Sequence, residues 1–202
     1  DLERRFLDTN GVRVVVDAKV VDKDVKLPEE RQTFADTLEA DTLAVLSDLN
    51  HASQKGLQTI FDCSVGRSTV NHPLGGRYQL TPTEASVQKL PVQHGVTHTA
   101  SVIAQGFNPY VAEWSPYHGA AYAVIEATAR LVAAGANWSK ARFSYQEYFE
   151  RMDKQAERFG QPVAALLGSI EAQIQLGLPS IGGKDSMSGT FEELTVPPTL
   201  VA

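Results

Sequence analysis

The stretch Ser180-Ile181-Gly182-Gly183-Lys184-Asp185-Ser186-Met187-Ser188-Gly189-Thr190 carries more chemical information than any other part of the chain. Its glycines let the backbone approach a ligand closely, and successive amide N–H groups can cradle an anion. Lysine offers a point charge to phosphate, and aspartate is a ligand that Mg²⁺ accepts. The GxxxxGK[ST] spacing of a P-loop is absent. Taken alone, the stretch predicts either an anion-binding loop or a glycine-rich turn between strands.

The composition around this stretch limits the class of protein. A chain of 202 residues is long enough for one domain, or for one domain with an appendage. The net charge of −6 argues against nucleic acid as a partner. Neither a membrane-spanning apolar run nor a signal-peptide pattern is present in the sequence. Cys63 is the single cysteine, so no intrachain disulfide can form, and we expect a cytoplasmic, reducing setting.

The first part of the chain is typical of an appendage. Asn10-Gly11 is a hairpin signal, and the valine-rich alternation over residues 12–25 predicts a strand. The charged segment that follows ends in Leu27-Pro28 and indicates a linker. We therefore expect residues 1–32 to be the tail of a preceding domain with its linker, and 33–202 to be a second domain. Because the chain starts without methionine and stops within a predicted strand, we expect a piece of a longer protein.

Hydrophobic periodicity and capping signals predict alternating helices and strands over the second domain. Helices are expected from the N-cap Asp36 to about residue 50, from the capping Ser53 to 61, over 119–134, over 144–159, and from Pro162 to 177. Strands are expected over 85–90, 98–105 and 194–201, with a loop over 66–83. The helix over 119–134 is apolar nearly all round, which predicts that it is buried. The alternation favours an α/β or α+β fold with a mixed sheet flanked by helices.

Glu126 lies in the middle of this apolar helix and is open to two interpretations. It can form an i,i+4 ion pair with Arg130, which has the right spacing and order. It can instead bind a metal ion or a ligand, since a carboxylate in an apolar environment is costly unless it is paired.

Five further residues are candidates for binding a ligand. Gln93-His94 follows an apolar strand, where polar residues are well placed for contacts, although a hydrogen-bonded loop histidine without a ligand is the default interpretation of His94. Lys55, near the start of a short helix, and Lys184 can contact phosphate. Asp185 can bind Mg²⁺. All three residues can instead simply be exposed.

Several short segments, in a consistent order, resemble those of the large multidomain phosphoribosylformylglycinamidine synthase. The run over 181–188 resembles its GKDSMS signature, and the helix around Glu126 resembles its GEALTNI helix. The other similar segments are 66–70, 90–94 with 99–101, and 196–201. The resemblance covers roughly residues 37–202 and places the chain as the N-terminal-type half of the second aminoimidazole ribonucleotide synthetase-like copy.

The resemblance implies a reaction and a set of partners. The family is an ATP-dependent ligase of purine biosynthesis that converts formylglycinamide ribonucleotide to formylglycinamidine ribonucleotide. ATP activates the amide oxygen, and ammonia from a glutaminase domain displaces phosphate. The second copy would hold an auxiliary nucleotide (ATP or ADP) with Mg²⁺, so the fragment itself is expected to be inactive. Its partners would be the first synthetase copy and the glutaminase domain, with no nucleic acid and no membrane. The family's domains pair through their sheets into a barrel-like unit, so a homodimer of the fragment is also expected.

The resemblance implies nucleotide contacts by Lys55, Gln93, Lys184 and Asp185, and a metal ligand at Glu126. The chain departs from the family at the other two metal-ligand positions, where His94 replaces an aspartate and Arg130 an asparagine. Mg²⁺ prefers oxygen ligands, so we expect this magnesium site to be degenerate. A structural pseudo-domain that braces the catalytic copy is the alternative. A small-molecule kinase or selenophosphate-type synthetase is disfavoured, because the aspartate-rich ATP motif of those chains is absent.

Overall fold

A computed structural model describes residues 1–7, 15–21, 37–53, 55–60 and 68–202. The elements in chain order are α1 (Arg4–Leu7), α2 (Leu38–Ser47), α3 (Lys55–Ile60), β1 (Leu74–Gly75), β2 (Thr81–Pro82), β3 (Ala85–Lys89), β4 (Ala100–Ala104), α4 (Pro109–Trp114), α5 (Pro116–Ala133), a 3₁₀ turn (Trp138–Lys140), β5 (Phe143–Tyr148), α6 (Ala156–Leu176), β6 (Ser180–Lys184), β7 (Thr190–Phe191), β8 (Leu194–Thr195) and β9 (Thr199–Val201).

The chain forms two compact units, which are described separately. Unit 1 comprises Asp1–Lys23, Phe107–Ile125 and Arg142–Ala202, and unit 2 comprises Asp24–Gly106 and Glu126–Ala141. The predicted boundary near residue 32 lies outside the described residues, as do the N-cap Asp36 and most of the predicted valine-rich strand. The part of that segment that is described, 15–21, is not a strand.

Unit 1 contains a three-stranded mixed sheet in the order β6-β5-β9. The central strand β5 pairs with β6 in parallel and with β9 in antiparallel orientation. A parallel pair needs a crossover connection, and α6 supplies it between β5 and β6. The buried side of β5 carries Phe143, Tyr145 and Glu147, with Phe149 following. This mixed sheet with its helices confirms the predicted α/β class.

The helix predicted over 144–159 is wrong, because most of this region is strand β5 and the loop after it. Phe143, Tyr145 and Phe149 alternate with exposed polar residues, and this period-two aromatic pattern favours a half-buried strand. The charged residues from Glu147 to Arg158 had favoured an amphipathic helix. Helix α6 therefore begins at Ala156 and not near Pro162, which lies inside it. Its predicted end is confirmed, since Gly177 closes the helix with a left-handed φ of 67°.

Two glycines bring α6 into backbone contact with its neighbours in unit 1. A Cβ atom on Gly160 would lie 2.5 Å from the carbonyl carbon of Lys19, and one on Gly168 would lie 2.8 Å from that of Tyr117. Near Gly160, the Lys19 amide also donates to the Ala156 carbonyl over 2.8 Å. Only a residue without a side chain allows such an approach.

Unit 2 is built on the antiparallel pair β3–β4, in register from Ala85↔Ala104 to Lys89↔Ala100. Residues 68–70 lie along the other edge of β3, where the Val70 amide donates to the Val87 carbonyl over 2.8 Å. The predicted strands over 85–90 and 98–105 are confirmed, with slightly shorter bounds. The predicted loop over 66–83 contains a short hairpin of β1 and β2 that had not been expected.

Helix α5 is the clearest confirmed prediction, and its ends follow from capping. Ser115 Oγ accepts a hydrogen bond from the His118 amide over 3.3 Å, and Gly135 ends the helix region with a φ of 82°. The expectation that the helix is buried all round is wrong. Tyr122, Ile125 and Val132 are about half exposed, since the buried side of the helix uses mainly small residues.

Among the helices that the structure describes, none is both long and apolar enough to cross a membrane.

Candidate functional site

Arg130 organises a cluster of charges in unit 2. Its guanidinium forms ion pairs with Glu126, over 2.9 Å, and with Glu84. It also donates to the backbone carbonyl of Gln105 over 2.7 Å, which ties α5 to the end of β4. The Arg130 side chain is 25% exposed, so this cluster is only partly screened by water. The i,i+4 ion pair between Glu126 and Arg130 that the sequence offered as one interpretation is therefore present.

The residues around Glu126 do not fit a magnesium site. Its carboxylate is already paired with a guanidinium, which places a positive charge where a cation would bind. Mg²⁺ demands oxygen ligands in octahedral arrangement. Within the described ranges, no three histidine, cysteine, aspartate or glutamate side chains are grouped so that they could hold a metal ion. A role of Glu126 as a metal ligand stays a prediction.

The other two predicted contacts of unit 2 lie at its surface. Gln93 and its neighbour His94 are exposed in the connection between β3 and β4. Lys55 is exposed at the first position of α3, and its backbone amide donates a capping hydrogen bond to Ser53 Oγ over 3.3 Å. This contact confirms the predicted helix start. Exposed positions are accessible to a ligand, but the structure does not test their roles.

Lys184 and Asp185 lie in unit 1, where β6 ends. The Lys184 ammonium is 5.1 Å from the ring centroid of Tyr148 on the neighbouring strand, within the range of a cation–π contact. Asp185 comes next, and Ser186 donates its amide to the Glu147 carbonyl over 2.9 Å. The glycine-rich stretch is therefore an edge strand that leads into a loop, and Gly182 and Gly183 lie inside the strand and not in a turn between strands.

The two glycines before Lys184 shape this strand. The register between β5 and β6 shifts by one residue between Phe143 and Ser144, and Gly182 adopts a φ of 141°, which only glycine accepts readily. A Cβ atom on Gly183 would lie 2.5 Å from the Tyr145 carbonyl oxygen. All five residues of β6 are exposed, so the backbone before Lys184 is open to a ligand.

Glu147 is a buried carboxylate that the sequence prediction missed. Burial raises its pKa above the usual range, and the nearby charge of Asp185 raises it further. The pKa of Tyr145, two residues away on the same side of β5, is also raised by burial and by Glu147. Both residues were overlooked because their segment had been assigned to a helix, and a period-two count of its aromatic residues would have found them.

Two residues of unit 2 were also missed. Glu84, the second carboxylate on Arg130, lies just before β3 and has no motif that marks it. Gln58 lies on α3, and its carbonyl oxygen Oε1 is buried without a hydrogen-bond partner among the described residues. An unpartnered polar atom cannot be read from a sequence, because it depends on which groups the fold brings near.

The predicted site residues thus belong to two units. Lys55, Gln93 and Glu126 are in unit 2, whereas Lys184 and Asp185 are neighbours in unit 1. Chemically, the end of β6 offers a cation beside open glycine backbone, which suits an anionic ligand. The Arg130 cluster, in which two carboxylates share one guanidinium, holds β4 and α5 together.

The fold is that of a PurL-type synthetase domain. The chain is similar to the Thermotoga maritima PurLQS structure with a TM-score of 0.58 and 20% identity, over 74% of this chain and 23% of that chain. It is similar to T. maritima PurL complexed with ADP, with a TM-score of 0.57 and 19% identity over 74% of this chain and 23% of that chain. It is also similar to T. maritima PurL complexed with AMPPCP, with a TM-score of 0.54 and 17% identity over 95% of this chain and 27% of that chain. No family model and no curated protein sequence matches the chain.

These similarities confirm the PurL-like synthetase fold that the sequence motifs had indicated. The chain spans about a quarter of the length of the solved chains that it matches. PurL has been solved with ATP, ADP and AMPPCP, so the fold is one on which nucleotides are found.

Proposed function

We propose that this chain is the auxiliary nucleotide-site domain of an ATP- and glutamine-dependent phosphoribosylformylglycinamidine synthase. The observation that carries the proposal is the PurL-like fold, with the lysine motif of residues 181–188 at the end of an exposed edge strand. In the complete enzyme, ATP would activate the amide oxygen of formylglycinamide ribonucleotide for displacement by ammonia. This domain would contribute binding and support, and it would be inactive alone.

In unit 1, Lys184 and Asp185 would contact the nucleotide. For Lys55 and Gln93 of unit 2, nucleotide contact stays a prediction from the resemblance. Lys184 would pair with phosphate oxygens, and the open backbone before it allows a phosphate to come close. Isothermal titration of the full chain with ADP and ATP tests this directly. Lys184→Ala should weaken binding about tenfold, because a charged hydrogen bond is lost. Lys89→Ala, which removes another exposed strand lysine, should leave the affinity unchanged. Equal affinities for both variants would contradict the role of Lys184.

A structural pseudo-domain that braces the catalytic copy is the second candidate, and the Arg130 cluster favours it. Arg130 neutralises Glu126, so we propose that the magnesium site of the family is degenerate here. Mg²⁺ should then leave the affinity for ADP unchanged. Micromolar Mg²⁺-ADP binding with stoichiometric Mg²⁺ would overturn this part of the proposal. The double variant His94→Asp and Arg130→Asn restores the oxygen ligands of the family, and it should gain Mg²⁺-dependent binding.

The partners would be the remaining domains of the same polypeptide, namely the first synthetase copy and the glutaminase domain, in the cytoplasm. Exposed aliphatic side chains on one side of α6, including Leu167, Ile170 and Ile174, are consistent with a covered face in a larger assembly. Without those domains, we propose that the fragment pairs with itself. Size-exclusion chromatography with light scattering should show a dimer, and a strictly monomeric chain at high concentration would refute the pairing.

A further inference from the structure

A pocket of 530 Å³ opens in unit 2 and is distinct from the Lys184 region of unit 1. Its wall is formed by β3 and β4, by α3 and by Arg130 of α5. Pockets that hold small organic ligands usually measure about 300–1,000 Å³, so this volume fits one such molecule. Most of the polar lining side chains are amides and hydroxyls, among them Gln58, Thr69 and Gln88.

The charges in this pocket leave little attraction for an anion. Glu84 and Arg130 are the only charged residues in its described lining, and they are paired with each other. Arg130 is also paired with Glu126, so two carboxylates share one guanidinium. A phosphorylated ligand would meet no net positive charge there, because the guanidinium in the described lining is paired with two carboxylates and no lysine lines the described wall. The pocket is therefore suited to an uncharged ligand.

One hydrogen-bond acceptor in the pocket wall has no donor among the described residues. The side-chain amide of Gln88 is satisfied, since its Oε1 accepts from Thr69 Oγ1 over 3.1 Å and its Nε2 donates to Ser86 Oγ over 3.3 Å. Gln58 Oε1, in contrast, is buried and has no partner among the described residues. Buried polar atoms are nearly always paired, so an isolated acceptor that lines a pocket points to a donor from a ligand.

The apolar part of the wall complements this acceptor. Ile103 lines the pocket from β4 and is 70% exposed, and Pro73 and Pro82 lie on the opposite hairpin. Apolar walls with a few well-placed polar groups are typical of sites for small organic molecules. We propose that this pocket binds an uncharged small molecule whose N–H or O–H group donates to Gln58 Oε1. The proposal does not depend on the nucleotide role of Lys184.

Binding is tested on the full chain with adenosine, D-ribose and nicotinamide, by saturation-transfer NMR and isothermal titration, with ADP as the charged counterpart of adenosine. At least one uncharged probe should bind, and Gln58→Ala should weaken it by about five- to tenfold, as expected for one buried hydrogen bond. Gln175→Ala, which changes an exposed helix glutamine in unit 1, and Lys184→Ala should leave that affinity unchanged.

A second variant keeps the test independent of folding defects. Ile103→Lys places a charge at an exposed position of the wall, so it should fold and should abolish binding of the uncharged probe. The proposal is overturned if none of the three probes binds, if Gln58→Ala binds as tightly as the wild type, or if ADP displaces adenosine with higher affinity. Because loss of ADP binding in Lys184→Ala is measured separately, failure here is distinguishable from failure of the nucleotide proposal.

Discussion

Gly168→Ala should destabilise unit 1, because Gly168 is where α6 meets the backbone of Tyr117. The added Cβ atom would lie 2.8 Å from the Tyr117 carbonyl carbon and 3.1 Å from its Cα, and nearer still to the carbonyl oxygen. Comfortable carbon contacts are about 3.5–4.0 Å, so the two segments must separate by roughly 1 Å. Overpacking of this kind costs about 1–3 kcal/mol or more.

Alanine has a higher helix propensity than glycine, and this difference offsets about 1 kcal/mol of the overpacking cost. Because the clash includes the carbonyl oxygen, the overpacking cost is taken at the upper end, about 3 kcal/mol. The net loss of about 2 kcal/mol corresponds to a fall in Tm of roughly 4–8 °C for a chain of this size. Differential scanning calorimetry measures it. Gly56→Ala is the matched control, because Gly56 is also helical but a Cβ atom there would meet no atom of the described residues within 4 Å. The control should keep or slightly raise Tm. If both variants shift Tm alike, the close contact at Gly168 is refuted.

Three further predictions concern charged groups. Burial raises the pKa of Glu147 in the folded state above its value in the unfolded state. The stability that protonated Glu147 contributes is therefore fully present below the unfolded-state pKa, and it is lost as pH rises through the folded-state pKa. The Tm of Glu147→Gln relative to that of the wild type should therefore increase as the pH is raised from acid to neutral. A difference in Tm that does not change with pH in thermal melts would contradict this. A double-mutant cycle of Tyr148→Leu and Lys184→Met should give a coupling of about 0.5–1 kcal/mol in chemical denaturation, and additive effects would argue against the cation–π contact. Arg130→Met should lower the free energy of unfolding by about 1 kcal/mol, because its two carboxylate partners lose their cation. The loss should be smaller at high salt. A loss that does not depend on salt would indicate a packing effect instead.

The sequence motifs were sufficient to predict the fold class and its PurL-like character. The order of the segments around 66–70, 90–101, Glu126 and 181–188 depends only on the chain, and it led to the same fold that the structural comparisons show. Helix α5 and the end of α6 were also predictable, because capping residues and Gly135 and Gly177 act locally.

Strand β5 was not predicted, because the charged residues from Glu147 to Arg158 favoured an amphipathic helix and obscured the alternation of buried aromatic residues. Which residues of a strand are buried depends on what packs on it, and that information is not local. The same reason explains why Glu147 was missed as a buried carboxylate.

By itself, the sequence determined the kind of fold, the local helix ends and the ion pair offered by Glu126 and Arg130, which are four residues apart. Only the tertiary structure brought Glu84 to the same guanidinium, placed Tyr148 beside Lys184, and put Gln58 Oε1 in a pocket where no described residue donates to it. Helical spacing is fixed by backbone geometry, whereas contacts between distant segments exist only after those segments have packed.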